Sequence, residues 1–98
     1  MASGRERLLV VDDDPELLKL LHQALSDAGF HCHRAADGRE ALSQLKQERF
    51  DLVVLDWTLP DLDGIEVLRR MRSTGLHTPV LMLTARDQLE ERVTALDA

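Results

Sequence analysis

Three short runs, residues 8–11 (LLVV), 52–55 (LVVL) and 80–83 (VLML), are continuously apolar and show no alternation with polar residues. Strands buried on both faces read this way, because helices cover both sides of a parallel sheet. A weaker stretch over 30–35 mixes polarity and is expected at a sheet edge. Helical patterns separate the runs. Asp14 before Pro15 supplies an N-cap carboxylate and a residue already fixed at helical φ. Leu17, Leu18, Leu21, Ala24, Leu25 and Ala28 then recur at three- and four-residue steps until Gly29. Residues 37–47 repeat the design through Ala41, Leu42 and Leu45, and residues 64–72 through Ile65, Val67, Leu68 and Met71. Asp87 is expected to open a fourth helix carrying Leu89, Val93 and Leu96. The order β-α-β-α-β-α-β-α, with right-handed crossovers, predicts a doubly wound α/β sandwich. With 98 residues and no linker or repeat, it is expected to be one domain over 1–98.

Charge and composition narrow the function classes. A formal net charge of −6 argues against a nucleic-acid surface, which needs a basic stripe. No apolar run approaches the roughly 20 residues that cross a bilayer, and residues 1–7 lead into no signal-peptide core. No membrane partner is therefore expected. The lone Cys32 cannot form an internal disulfide, which fits a reducing, cytoplasmic setting.

In a doubly wound fold the ligand site lies outside the carboxyl ends of the strands, at the switch in strand order. Asp12, Asp13 and Asp14 follow the first run, Asp56 the second, and Thr84 and Ala85 the third. A single Asp there is ordinarily a turn or cap residue, and Asp14 suits that role. If the first and third strands are neighbours, Asp12, Asp13 and Asp56 converge, and like charges that close raise each other's pKa unless a cation neutralises them. A hard divalent ion, Mg²⁺, suits oxygen ligands with room left for water or phosphate. Such an ion would screen a phosphoryl group approaching Asp56 as nucleophile. Thr84 would offer it a hydroxyl, and small Ala85 would leave access open.

The runs LLVVDDDP (8–15), DLVVLDWTLPDLDG (51–64) and PVLMLTA (79–85) resemble the receiver domain of bacterial two-component response regulators. The resemblance covers essentially the whole chain, in order and spacing. It implies the flavodoxin-like (CheY-like) fold, with sheet order 2-1-3-4 over the residues present. It also implies that Asp56 takes phosphate from the phosphohistidine of a sensor histidine kinase. Asp13 would bind Mg²⁺ directly and Asp12 largely through water, with the Thr58 backbone carbonyl completing the ligands. Thr84 would be the switch hydroxyl, while Pro60 and Gly64 shape the loop after the acceptor. Thr58 and Arg86 match positions that tune dephosphorylation. The stretch LTARDQLEERVTALDA is most similar to receivers of winged-helix (OmpR/PhoB-type) transcription factors. Such a receiver would relay its signal to a DNA-binding output domain and would not be a conventional enzyme.

The family pattern continues into a fifth strand, ending in a phosphoryl-binding lysine, and a fifth helix. Neither is present before Ala98, and the last helical pattern lacks a glycine cap, so the chain is expected to be a C-terminally truncated receiver. Residues 80–83 would then be an exposed apolar edge inviting self-association. Without the lysine, phosphorylation would be poor.

Two other functions compete with this reading. A haloacid-dehalogenase-like phosphatase also has an aspartyl nucleophile after a buried strand, but its further acidic ligands follow that residue, whereas Asp12 and Asp13 precede it. A receiver-shaped interaction module that never takes phosphate is the third possibility. Among lesser features, Trp57 is expected to pack a loop. His31 and His33 share a strand face as solvated surface, and Cys32 on the opposite face is a small buried hydrophobe. Asp61, Asp63 and Gly64 hint at a calcium loop, but Leu59 and Arg70 would fall on its first and last ligand positions, which excludes it.

Overall fold

The computed structural model describes residues 6–57, 59–83 and 94–96. The three apolar runs form β1 (Arg7–Val11), β3 (Leu52–Asp56) and β4 (Val80–Leu83), and the mixed stretch forms β2 (His31–Ala35). Helices α1 (Pro15–Asp27), α2 (Gly38–Gln47) and α3 (Gly64–Ser73) supply the crossovers. Strands β2-β1-β3-β4 are parallel and adjacent in that order, with β2 at one edge as its polarity suggested.

Local chemistry sets the helix ends. The Asp14 carboxylate accepts the Glu16 N–H at 3.0 Å and the Leu17 N–H at 3.4 Å, while Pro15 occupies a position with no donor to satisfy. After α1, Gly29 turns left-handed at φ 102°, and the Phe30 N–H reaches back to the Leu25 carbonyl at 3.0 Å.

The two faces of the sheet are unequally covered among the described residues. On one face Leu9, Val11, Val53, Leu55, Val80 and Met82 pack against Ala41, Leu45, Val67 and Met71 of α2 and α3. On the other, Val10 and Cys32 pack against Leu18 of α1, with Leu21, Leu25 and Val54 partly buried around them. Burial on both faces thus holds for β1, whereas β3 and β4 alternate between buried and half-buried residues.

The far end of the chain departs from expectation. Thr94–Leu96 forms a fifth strand, β5, antiparallel to β4, with Val80 opposite Leu96 and Met82 opposite Thr94. Leu96 is therefore strand rather than part of a fourth helix, whereas Asp87, Leu89 and Val93 lie outside the described residues. The edge of β4 is paired over Val80 to Met82, which removes the open edge on which self-association was expected to rest. An unpaired strand edge seeks a backbone partner, and here the chain's own residues supply it.

At the amino ends of the strands, polar contacts tie neighbouring segments together. The Arg7 N–H donates to the Asp51 carboxylate at 2.8 Å, its Nε donates to the Arg49 carbonyl at 2.8 Å, and its guanidinium pairs with Glu48. The same guanidinium lies over the Phe50 ring at 5.4 Å. His33 meets Phe50 edge-on and stacks on His31, so it belongs to this packed corner rather than to open surface. Burial, and then the Arg7 charge, push the His33 pKa below its ordinary value, with Glu48 partly opposing. The unfolded chain therefore takes up this proton first. Stability is expected to be complete above about pH 6.5 and to erode as pH falls toward the lowered value. Urea midpoints at mildly acidic and neutral pH should show that slope in the wild type and less of it in His33→Gln. An equal slope in both would refute the assignment.

Candidate functional site

The site follows from strand register. Val11 pairs with Leu55, so Asp12 and Asp56 emerge side by side from the carboxyl ends of β1 and β3. The Asp12 N–H extends the ladder to the Ala35 carbonyl at 3.1 Å, and the Trp57 N–H extends it to the Leu83 carbonyl at 2.8 Å. Both acidic residues thus leave the sheet from paired backbone. Asp12, Asp13 and Asp56 each bring a carboxylate oxygen within 4.8 Å of the others, with Asp12 and Asp56 half-buried and Asp13 exposed.

Burial is the chief reason that the Asp12 pKa lies above the ordinary carboxylate value. The Asp14 N–H, donating to Asp12 at 2.9 Å, offsets part of this, while the charges of Asp13 and Asp14 add to it. Asp12 therefore also serves its local turn. Two like charges about 4 Å apart repel by about 1 kcal/mol with water-like screening and about 4 kcal/mol at an effective dielectric of 20. Three hard oxygen donors in mutual repulsion fit a divalent cation, which converts that repulsion into attraction.

The segment after Asp56 closes on itself. The Gly64 N–H donates to the Trp57 carbonyl at 2.8 Å, which brings the start of α3 against the end of β3. Leu59 is buried in the core, and Leu62 packs against it. Trp57 is 45% exposed beside the pocket, so it does not pack the loop as expected. Thr58, Thr84, Ala85 and Arg86 lie outside the described residues. Among the described residues the cluster of potential metal ligands is Asp12, Asp13 and Asp56, and the Asp61 carboxylate is instead engaged by the backbone N–H groups of Gly38 and Arg39. What sequence reasoning missed is the reach of Asp61 to α2, a contact between segments more than 20 residues apart.

A family profile for the response regulator receiver domain matches residues 8–98. The chain belongs to that family. Among its relatives, the response regulator MprA of Mycolicibacterium vanbaalenii is 52% identical over 92 residues, covering 94% of this chain and 40% of that protein. MprA of Mycobacterium avium is 50% identical over the same length and with the same coverage. The chain therefore spans about 40% of the length of these curated relatives. The receiver domain of a Francisella response regulator superposes with a TM-score of 0.82 at 34% identity, covering 89% of this chain and 72% of that one. TrrA of Thermotoga maritima, solved in complex with Mg²⁺–BeF, superposes at 0.79 with 34% identity, covering 88% and 75%. The acidic cluster of this receiver domain lies at the switch in strand order, where β1 sits between β2 and β3. Among the described residues no helix is long and apolar enough to cross a membrane.

Proposed function

We propose that this receiver domain is a phosphorylation switch in which Asp56 accepts a phosphoryl group from the phosphohistidine of a sensor histidine kinase. The convergence of Asp12, Asp13 and Asp56 at the ends of two paired strands carries this reading. An Asp56 carboxylate oxygen attacks phosphorus, the P–N bond to the kinase imidazole breaks, and the imidazole leaves neutral after taking a proton. Asp12, Asp13 and Asp56, with the Thr58 carbonyl, would hold Mg²⁺, which when bound screens the charge of the incoming phosphoryl oxygens. Thr84 would turn its hydroxyl toward the acyl phosphate, and Ala85 would keep the approach open. The acyl phosphate would bias a two-state equilibrium read by an output domain. Coupling of this kind typically amounts to about 1–3 kcal/mol. The likeness to MprA response regulators and to winged-helix receivers over 83–98 favours a DNA-binding, transcription-regulating output. The chain itself would bind no nucleic acid, and it would act in the cytoplasm.

The test is labelling with a small phosphodonor, read by intact mass. Slow labelling at a single site, never exceeding one phosphoryl group per chain, is expected in the wild type, with none after removal of Mg²⁺ and none in Asp56→Asn. Labelling that persists in Asp56→Asn would sink the assignment. So would steady turnover of a phosphate monoester, which belongs to a phosphatase.

A further inference from the structure

The loop that leaves the Asp56 pocket is fastened at two points. Its base is closed by the bond from the Gly64 N–H to the Trp57 carbonyl. Its far side reaches α2 through Asp61, whose Oδ1 accepts the Gly38 N–H at 2.8 Å and whose Oδ2 accepts the Arg39 N–H at 3.0 Å. The Leu62 N–H adds a bond to Oδ1 at 2.8 Å, and the Arg39 Nε lies 3.7 Å from Oδ2. Loss of hydration works against ionisation of this carboxyl, but the backbone donors outweigh it and hold the pKa below the ordinary range. Contact at this point is tight, because a Cβ on Gly38 would stand 3.0 Å from Leu62 Cβ and 3.0 Å from Val67 Cγ2.

Helix α2 already has its own cap. Asp37 accepts the Glu40 N–H at 2.8 Å, and the Glu40 carboxylate reaches back past the cap to accept the Ala36 N–H at 2.9 Å. Asp61 answers two further free donors of the first turn, and it does so from 22 and 23 residues away in sequence. A bond of that reach constrains both partners. We propose that Asp61 is a positioning residue of the acceptor site, tying residues 59–63 to the start of α2 so that Gly64 stays seated against Asp56 and Trp57 and the Asp56 carboxylate keeps its place beside Asp12 and Asp13. This rests on the reading of the pocket as a Mg²⁺ site.

The experiment compares wild type with Asp61→Ala and with Asp37→Ala, which uncaps α2 but leaves the loop tether in place. Mg²⁺ affinity is followed by fluorescence of Trp57, the only tryptophan, and loop closure by hydrogen exchange of the Gly64 amide without metal. Both variants should melt at lower temperature than wild type. Only Asp61→Ala should weaken Mg²⁺ binding, by about tenfold, as is typical when residues that orient metal ligands are lost. Only Asp61→Ala should speed exchange at Gly64. The proposal is overturned if Asp61→Ala keeps wild-type Mg²⁺ affinity and Gly64 protection, or if Asp37→Ala changes both equally. Should the wild type itself ignore Mg²⁺, the metal reading falls and the Gly64 amide alone decides the tether: unchanged protection in Asp61→Ala overturns it.

Discussion

Gly64→Ala is expected to destabilise the fold and to cripple the acidic pocket together. A Cβ at this position would lie 2.8 Å from the Asp56 carbonyl oxygen, 3.1 Å from Met82 Sδ and 3.2 Å from Trp57 Cα. Two of these neighbours are backbone and cannot swing aside. In an open helix alanine would gain up to about 1 kcal/mol over glycine. Overpacking a closed site costs about 1–3 kcal/mol, and the bond from Gly64 to Trp57 is at risk as well, so the loss prevails. Relief must come from moving either the end of β3 or the start of α3, and the first displaces Asp56 itself. Thermal melting should show a drop of several degrees, since each kcal/mol moves a domain of this size by about 4–8 °C. The Trp57 response to Mg²⁺ should weaken or vanish. A variant that melts and binds Mg²⁺ like wild type would show that the close approach is not a constraint.

The larger loss of stability belongs to Leu55→Ala. Leu55 is fully buried, sits between Val11 and Met82 in the sheet, and immediately precedes Asp56. Truncating such a leucine costs about 2–5 kcal/mol, through lost transfer energy and the cavity left behind. A small domain has about 5–15 kcal/mol in total, so a large part of its stability would go. Leu20→Ala is the matched control, because Leu20 is 66% exposed on α1 and its truncation should stay within about 0.5 kcal/mol. Denaturant midpoints decide the matter: similar values for the two variants would mean that the sheet interior is not packed as described.

Much of this architecture was legible because its signals are local. Four apolar residues in a row mark a buried strand without help from elsewhere, and Asp14, Pro15 and Gly29 mark the ends of α1 in the same way. The meeting of Asp12, Asp13 and Asp56 was legible at one remove, since it needs only the adjacency of β1 and β3. What escaped is non-local. Thr94–Leu96 carries a helical spacing in sequence, yet it lies along β4, whose edge rewards an extended partner. The link from Asp61 to Gly38 and Arg39 joins segments with no pattern in common. Trp57 stands out in the open because its backbone, rather than its ring, does the joining, through the bonds to Leu83 and Gly64.

The pairing of β1 with β3 also sets a dimension. Neighbouring strands lie about 4.7–4.9 Å apart, and the three carboxylate oxygens gather within 4.8 Å. The sheet works as a calliper: the repeat that satisfies its backbone also sets the gauge between Asp12 and Asp56, the two sides of an acidic seat at its rim. Loops around such a seat can drift in length and composition over evolutionary time while the seat keeps its size. A one-residue slip between the strands would instead invert the facing of every side chain and erase the seat in a single step.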